Sequence, residues 1–209
     1  MRLKNVKGAN EIIIKGTHYI DNPYQNKGNW QKLFNNDNPI HIEIGIGKGD
    51  FIIQLALQNS NINYIGIEKY DSVIVRAIQK SNELDITNLK IIRMDAHKLE
   101  EVFSKEIDTI YLNFSDPWPK DRHAKRRLTS EVFLNIYDKI LKNKKHIIQK
   151  TDNIDLFNYS IESLTSHGYT INYQTNDLHK ENIPNIMTEY ERKFTKKGIK
   201  INKLDATKD

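Results

Sequence analysis

A doubly wound, Rossmann-like α/β sheet, mostly parallel and closed by an antiparallel C-terminal strand pair, is predicted for residues 39–198 on three observations. Short β-branched runs alternate with longer segments of helical period, a glycine-rich turn follows the first run, and acidic residues end the next two. Such alternation puts helices on both faces of a sheet and ligands at the carboxyl ends of its strands.

Taken in order, residues 1–38 are polar and irregular, with Asn22-Pro23 and Asn38-Pro39 as breakers, and are expected to form an arm. Strands are expected at Ile40–Ile44, Tyr64–Glu68, Leu89–Met94, Thr109–Asn113 and His146–Lys150. Helices fit between and after them, at Phe51–Gln58, Ser72–Glu83, Ser130–Leu141 and Leu156–His167. Tyr169–Tyr173 and Glu189–Phe194 then look strand-like with no clear helix between, so they are expected to pair antiparallel. Residues 199–209 are basic and polar and read as a tail.

Composition narrows the function. With 209 residues, 38% hydrophobic and 28% charged, the chain can bury one sizeable core but hardly two. No apolar run approaches the roughly 20 residues that cross a bilayer, and the N-terminus lacks the apolar stretch of a secretory signal. A cytoplasmic location, with no membrane partner, is expected. Cysteine is absent, which excludes disulfides, thiolate metal sites and a cysteine nucleophile, and no metal is expected. The net charge of +5 fits an anionic partner and says nothing of the oligomeric state.

The first strand runs into Glu43-Ile44-Gly45-Ile46-Gly47-Lys48-Gly49-Asp50. Gly45, Gly47 and Gly49 let the backbone turn tightly and approach a ligand. A dinucleotide fingerprint would need glycine where Asp50 stands, and Glu43 with Asp50 would repel a pyrophosphate. S-adenosylmethionine has no phosphate and carries a sulfonium and an ammonium, so the same acids favour it. Glu68, about 20 residues on at the end of the second strand, suits both ribose hydroxyls. Asp95-Ala96, at the end of the third, suits the adenine amino group. Taken singly, a glycine loop is a tight turn and a strand-end acid a solvated cap. Three together point to an adenosine-type site.

After the fourth strand come Asn113-Phe114-Ser115-Asp116-Pro117-Trp118-Pro119-Lys120, then Asp121-Arg122-His123-Ala124-Lys125-Arg126-Arg127. Two prolines stiffen the loop and present Asp116 beside the expected cofactor. From Lys120 to Arg127 five cations face one anion, which is either a solvated run or a nucleic-acid contact. Trp118 fits either a brace for the loop or a stacking face for a splayed base. With no cysteine for carbon methylation through an adduct, the acceptor is sought among groups that own a lone pair, of which guanine N7 is one. It needs alignment rather than deprotonation. A carboxylate on the N1 and N2 donors would stabilise the cationic ring that forms. Asp116 is the candidate, with Asp152 a second; Asp152 fits equally an N-cap of the helix that follows it.

From about Pro39 to Gly198 the chain resembles the bacterial tRNA (guanine-N7-)-methyltransferases. The resemblance rests on the Glu43–Gly49 loop, Tyr64–Glu68, the Asn113–Leu128 stretch with its Asp-Pro-Trp-Pro-Lys element, Lys150–Asn153, and Thr188-Glu189-Tyr190-Glu191-Arg192-Lys193-Phe194. It implies a class I methyltransferase fold, S-adenosylmethionine as cofactor, and tRNA as partner, with guanine 46 of the variable loop as target. It places Glu43, Glu68, Asp95 and Asp116 at the cofactor, beside the glycines, Ala96 and Asn113. Substrate contacts are implied at Lys120, Arg122, His123, Lys125, Arg126, Arg127 and Asp152, and at Thr188, Glu189, Tyr190 and Glu191. Ile46 and Asp121 depart from the family pattern, which often has a smaller or hydroxylic residue at the first and a basic one at the second. Two rivals remain open: an amino-group methyltransferase, though its loop usually runs Pro-Pro-aromatic, and a non-catalytic RNA-binding protein with a fossil nucleotide site.

Overall fold

The computed structural model describes residues 6–209, so the first five residues of the expected arm lie outside it. Seven strands form one sheet: β1 Ile40–Ile44, β2 Asn63–Glu68, β3 Leu89–Arg93, β4 Ile107–Asn113, β5 Leu141–Thr151, β6 Thr170–Thr175 and β7 Asn202–Lys208. Their spatial order is β3-β2-β1-β4-β5-β7-β6. The first five strands in that order are parallel, and β7 runs antiparallel to both β5 and β6. The chain winds outward from β1 to β3, then returns to lay β4 against the other side of β1. That reversal opens a crevice above the carboxyl ends of β1 and β4, where this topology holds ligands.

Helices cover both faces: α3 Asp50–Gln58, α4 Asp71–Asn82, α5 Leu99–Val102, α6 Glu131–Ile140 and α7 Ile154–Ser166 follow two short N-terminal ones, α1 Ala9–Ile14 and α2 Trp30–Phe34. The central strands read as continuous apolar runs because both faces are covered; Ile42, Ile65, Ile110 and Ile147 are wholly buried. One core packs Trp30, Phe103, Phe133, Tyr137 and Leu164 against the sheet, and the other packs Ile52, Ile74, Ile78 and Tyr64. No helix among the described residues is long and apolar enough to cross a membrane.

Three expectations need correction. The N-terminal segment is not a loose arm: Ile13 and Trp30 are wholly buried, and the Trp30 indole donates to the Val102 carbonyl at 2.9 Å. Next to them Tyr19 bridges Ile91, with Ile20 N–H donating to the Ile91 carbonyl at 3.0 Å, so the segment covers the β3 edge. Glu189–Phe194 is not a strand but the start of α8, Glu189–Thr195. Thr188 and Glu191 form a reciprocal capping box there, and Tyr190 and Phe194 stand at helical spacing on one face. Finally, residues 199–209 are no tail, because β7 lies within the sheet, burying Asn202, Leu204 and Ala206 in alternation. The antiparallel closing pair therefore exists, but its second member is β7.

A chain ended at Gly198 would leave β5 without its outer neighbour and β6 without any. It should lose its cooperative thermal transition; an unchanged melting temperature would mean that β7 is a dispensable appendage.

Candidate active site

The turn after β1 is built from left-handed backbone at Gly45, Gly47 and Gly49, with φ of 82°, 56° and 80°. A Cβ on Gly47 would meet nothing within 4 Å, so its requirement is conformational and the bare peptide faces open space. A Cβ on Gly49 would come within 2.8 Å of Ala77 Cβ, so this glycine also allows α3 and α4 to approach. Ile46 turns its side chain inward onto Gly66, where it packs in the core.

Glu68, at the end of β2, locks this turn. One carboxylate oxygen accepts from Gly47 N–H at 3.0 Å, and the other from the N–H groups of Lys69 and Tyr70 at 2.8 and 3.0 Å. Burial pushes its pKa up, and those three bonds pull the other way. Asp95, after β3, caps the turn Ala96–Lys98 through the His97 N–H at 3.0 Å and pairs with Lys69 at 2.7 Å. Burial works against its charge, but hydrogen bonds from Lys69 and His97 outweigh it and hold the carboxyl well below the usual carboxylate range.

Glu43 sits deeper, 2% exposed at the end of β1. Asn113 Nδ2 donates to its Oε1 at 2.8 Å. Burial pushes the Glu43 carboxyl up to about 8, despite the Asn113 bond and the nearby Lys150 ammonium. Glu43 Oε2, Asn113 Oδ1 and Ser115 Oγ are buried with no protein partner. Glu43 and Asn113 line a cavity of about 570 Å³, bounded also by Gly45, Gly47, Phe51, Phe114 and α8.

The Asp116 loop is stiffer than its two prolines alone require. Phe114 and Trp118 both adopt left-handed backbone, with φ of 52° and 44°, a conformation disfavoured for bulky residues and held only by surrounding contacts. Arg127 supplies several of them: its guanidinium donates to the Pro117 and Trp118 carbonyls at 3.2 and 3.1 Å and lies 4.3 Å from the Tyr159 ring. Arg126 sits 4.8 Å over the Trp118 ring, and His123 meets that ring edge-on. Trp118 is thus a brace for the loop. Lys120, Arg122 and Lys125 are exposed, as are Asp116 and Arg126, whereas Arg127 turns inward. Asp116 lies close enough to Glu68 to raise its pKa slightly, towards the β2 side of the crevice.

Asp152, after β5, is not the helix cap. Asn153 performs that role, its Oδ1 accepting from Leu156 N–H at 2.7 Å, and Asp152 accepts instead from the Tyr190 hydroxyl at 3.1 Å. Tyr190 belongs to α8, which roofs the cavity. The four residues of the Thr188–Glu191 motif divide: Thr188, Glu189 and Tyr190 line the cavity, while Glu191 is wholly buried. Lys150, equally buried, donates to Glu191 Oε2 at 2.6 Å, to the Ile186 carbonyl at 2.8 Å and to Asn185 Oδ1 at 3.2 Å. Asn185 donates to Glu191 Oε1 at 2.6 Å, and His179 Nε2 is 3.2 Å from the same oxygen. Outside this buried knot, Lys48 pairs with Glu189 at 2.7 Å and Arg192 pairs with Asp50, fastening α8 to the glycine turn and α3.

Sequence reasoning missed the wall residues Phe51, Phe114 and Phe194 and the anchor Lys150. The available signal was the Thr188-x-x-Glu191 capping box.

A family model described as "Putative methyltransferase" matches residues 37–204. The chain is 51% identical to a tRNA (guanine-N(7)-)-methyltransferase of Lachnoclostridium phytofermentans, covering 100% of this chain and 99% of that one. It is likewise 51% identical to the protein of that name from Listeria monocytogenes, with the same coverage. Among solved structures, the 16S rRNA methyltransferase KamB superposes with a TM-score of 0.68 at 12% identity, over 87% of this chain and 93% of that one, a likeness of fold alone. Matched over its whole length at half identity by such relatives, the chain belongs to the tRNA (guanine-N7-)-methyltransferase family.

Proposed function

We propose that this protein transfers a methyl group from S-adenosylmethionine to N7 of a guanine in tRNA, at position 46 of the variable loop, in the cytoplasm. The observation that carries the cofactor is the pair of buried, unpartnered oxygens on residues lining the cavity, Glu43 Oε2 and Asn113 Oδ1, beside bare glycine backbone. An amide oxygen, with a carboxyl that ionises once a cation lies against it, suits a ligand that brings an ammonium and a sulfonium. Glu43 and Asn113 would hold the amino-acid end, Glu68 the ribose, and Asp95 with Ala96 the adenine. When bound, the cofactor supplies an electrophilic methyl group on a positively charged sulfur.

The chain's own residues then orient the acceptor. Guanine N7 already owns its lone pair, so no general base is required and positioning dominates. Asp116, fixed by the strained loop, and Asp152, across the crevice beside α8, are carboxylates suited to the N1 and N2 donors. Either would stabilise positive charge developing in the ring. Lys120, Arg122 and Lys125 are placed for phosphates, Arg126 shares itself with Trp118, and Arg127 acts through the loop it clamps.

Incubation with labelled cofactor and unmodified tRNA should put the label in 7-methylguanosine; label in an amino-methylated nucleoside would favour the amino-group rival. Asp116→Ala should lower kcat by about 100-fold or more with an unchanged melting temperature. Near-normal turnover would remove Asp116 from the chemistry.

Glu43 adds a pH signature. Its carboxyl is held protonated at neutral pH, and a cation placed against it favours the ionised form. Cofactor binding should therefore release a proton and tighten as pH rises from 6 to about 8, by at most about tenfold per unit. Calorimetry in buffers of different ionisation enthalpy measures this; Glu43→Gln should flatten it, and a flat wild-type profile would place the cation elsewhere.

A further inference from the structure

Tyr190 is flanked by two other rings of the cavity wall. Phe194 is stacked against it, with centroids 4.0 Å apart and planes inclined by 14°, and Phe114 lies at 5.0 Å and 39°. The hydroxyl donates to Asp152 Oδ2 at 3.1 Å. Burial and Asp152 push its pKa up to about 12, so the hydroxyl remains a donor at any working pH. A planar ring held against aromatic faces, with an O–H aimed at a carboxylate, has the contacts a purine would make if it stacked on Phe194 and gave its N1–H to Asp152. Phe114, held in left-handed backbone conformation, lines the same cavity.

We infer that the pocket formed by Phe114, Phe194 and Asp152 is the subsite for the acceptor guanine, and that the Tyr190 side chain fills it in the free protein as a base-like plug that substrate displaces. The inference rests on the tRNA reading above and deepens it. It also changes the role the family resemblance implies for Tyr190. A direct contact would strengthen tRNA binding, whereas a plug competes with the base, and apparent affinity falls in proportion to the open fraction. The two roles predict opposite signs for one substitution. Tyr190→Phe keeps the ring and its packing and removes only the bond to Asp152. Losing one hydrogen bond of ordinary net strength should raise the open population by about 2- to 10-fold.

The experiment measures dissociation constants for unmodified tRNA, by filter binding in saturating S-adenosylhomocysteine, on the full-length protein. Tyr190→Phe should bind tRNA about 2- to 10-fold more tightly than wild type, and in an Asp152→Ala background the same substitution should have no effect. Phe194→Leu, which removes a wall of the slot, should weaken binding about tenfold or more. Equal or weaker binding by Tyr190→Phe, a gain that persists without Asp152, or unchanged binding by Phe194→Leu would each overturn the inference. Nucleoside mapping of the wild-type product separates the two levels. Synthesis of 7-methylguanosine alongside any of those results rejects the subsite alone, and its absence rejects the reading on which the subsite rests.

Discussion

Everything on the outer side of the crevice hangs on the ion pair between Lys150 and Glu191, buried to 3% and 0% side-chain exposure. Removing two such charges from water costs on the order of several kcal/mol per ion, and burial pulls the Lys150 ammonium's pKa down against the opposing pull of Glu191. The surroundings offset that cost with hydrogen bonds rather than bulk: the Ile186 carbonyl and Asn185 at the ammonium, Asn185 and the Thr188 N–H at the carboxylate. The pair thereby welds the end of β5 to the segment entering α8. A helix of seven residues has little stability of its own, so its place over the cavity comes from this weld and from its capping box. Asp152 follows Lys150 by two residues and Tyr190 precedes Glu191 by one, so the same constraint brings carboxylate and phenol together.

The opposite wall is governed by backbone strain. Two bulky residues in left-handed conformation are tolerated because Arg127 holds the intervening carbonyls and Arg126 covers Trp118. Basic residues that look alike in sequence therefore do different things. Some face solvent, and others maintain the shape that presents Asp116. Between the walls the site is acidic and under-solvated, a combination that suits a small organic cation better than a phosphate.

Much of the geometry proposed to hold the cofactor was legible in the sequence because it depends on local rules. Glycines at 45, 47 and 49 need left-handed backbone, and Glu68 and Asp95 stand at strand ends whose apolar runs are unmistakable. What escaped depends on long-range packing. In β7 only Leu204 and Ala206 are apolar, so strand pairing on both sides, not hydrophobic pattern, makes it a strand. The α8 segment carries charges that alternate with aromatics closely enough to imitate an edge strand, and its capping box was the overlooked signal. The inward turn of Arg127 and the burial of Glu191 belong to the same class, since neither a cation in a basic run nor an acid in a motif announces its partner.

As proposed, one crevice holds a cationic cofactor over β1 to β3 and a guanine against β4, β5 and α8. A crystal structure of the ternary complex with S-adenosylhomocysteine and tRNA tests it most directly. The cofactor's amino group is expected at Glu43 and Asn113, its ribose at Glu68, and a variable-loop guanine on Phe194 with N7 turned towards the sulfur and Tyr190 displaced. A base presenting an exocyclic amine to the sulfur, or a guanine bound outside the crevice with Tyr190 still on Asp152, would contradict it.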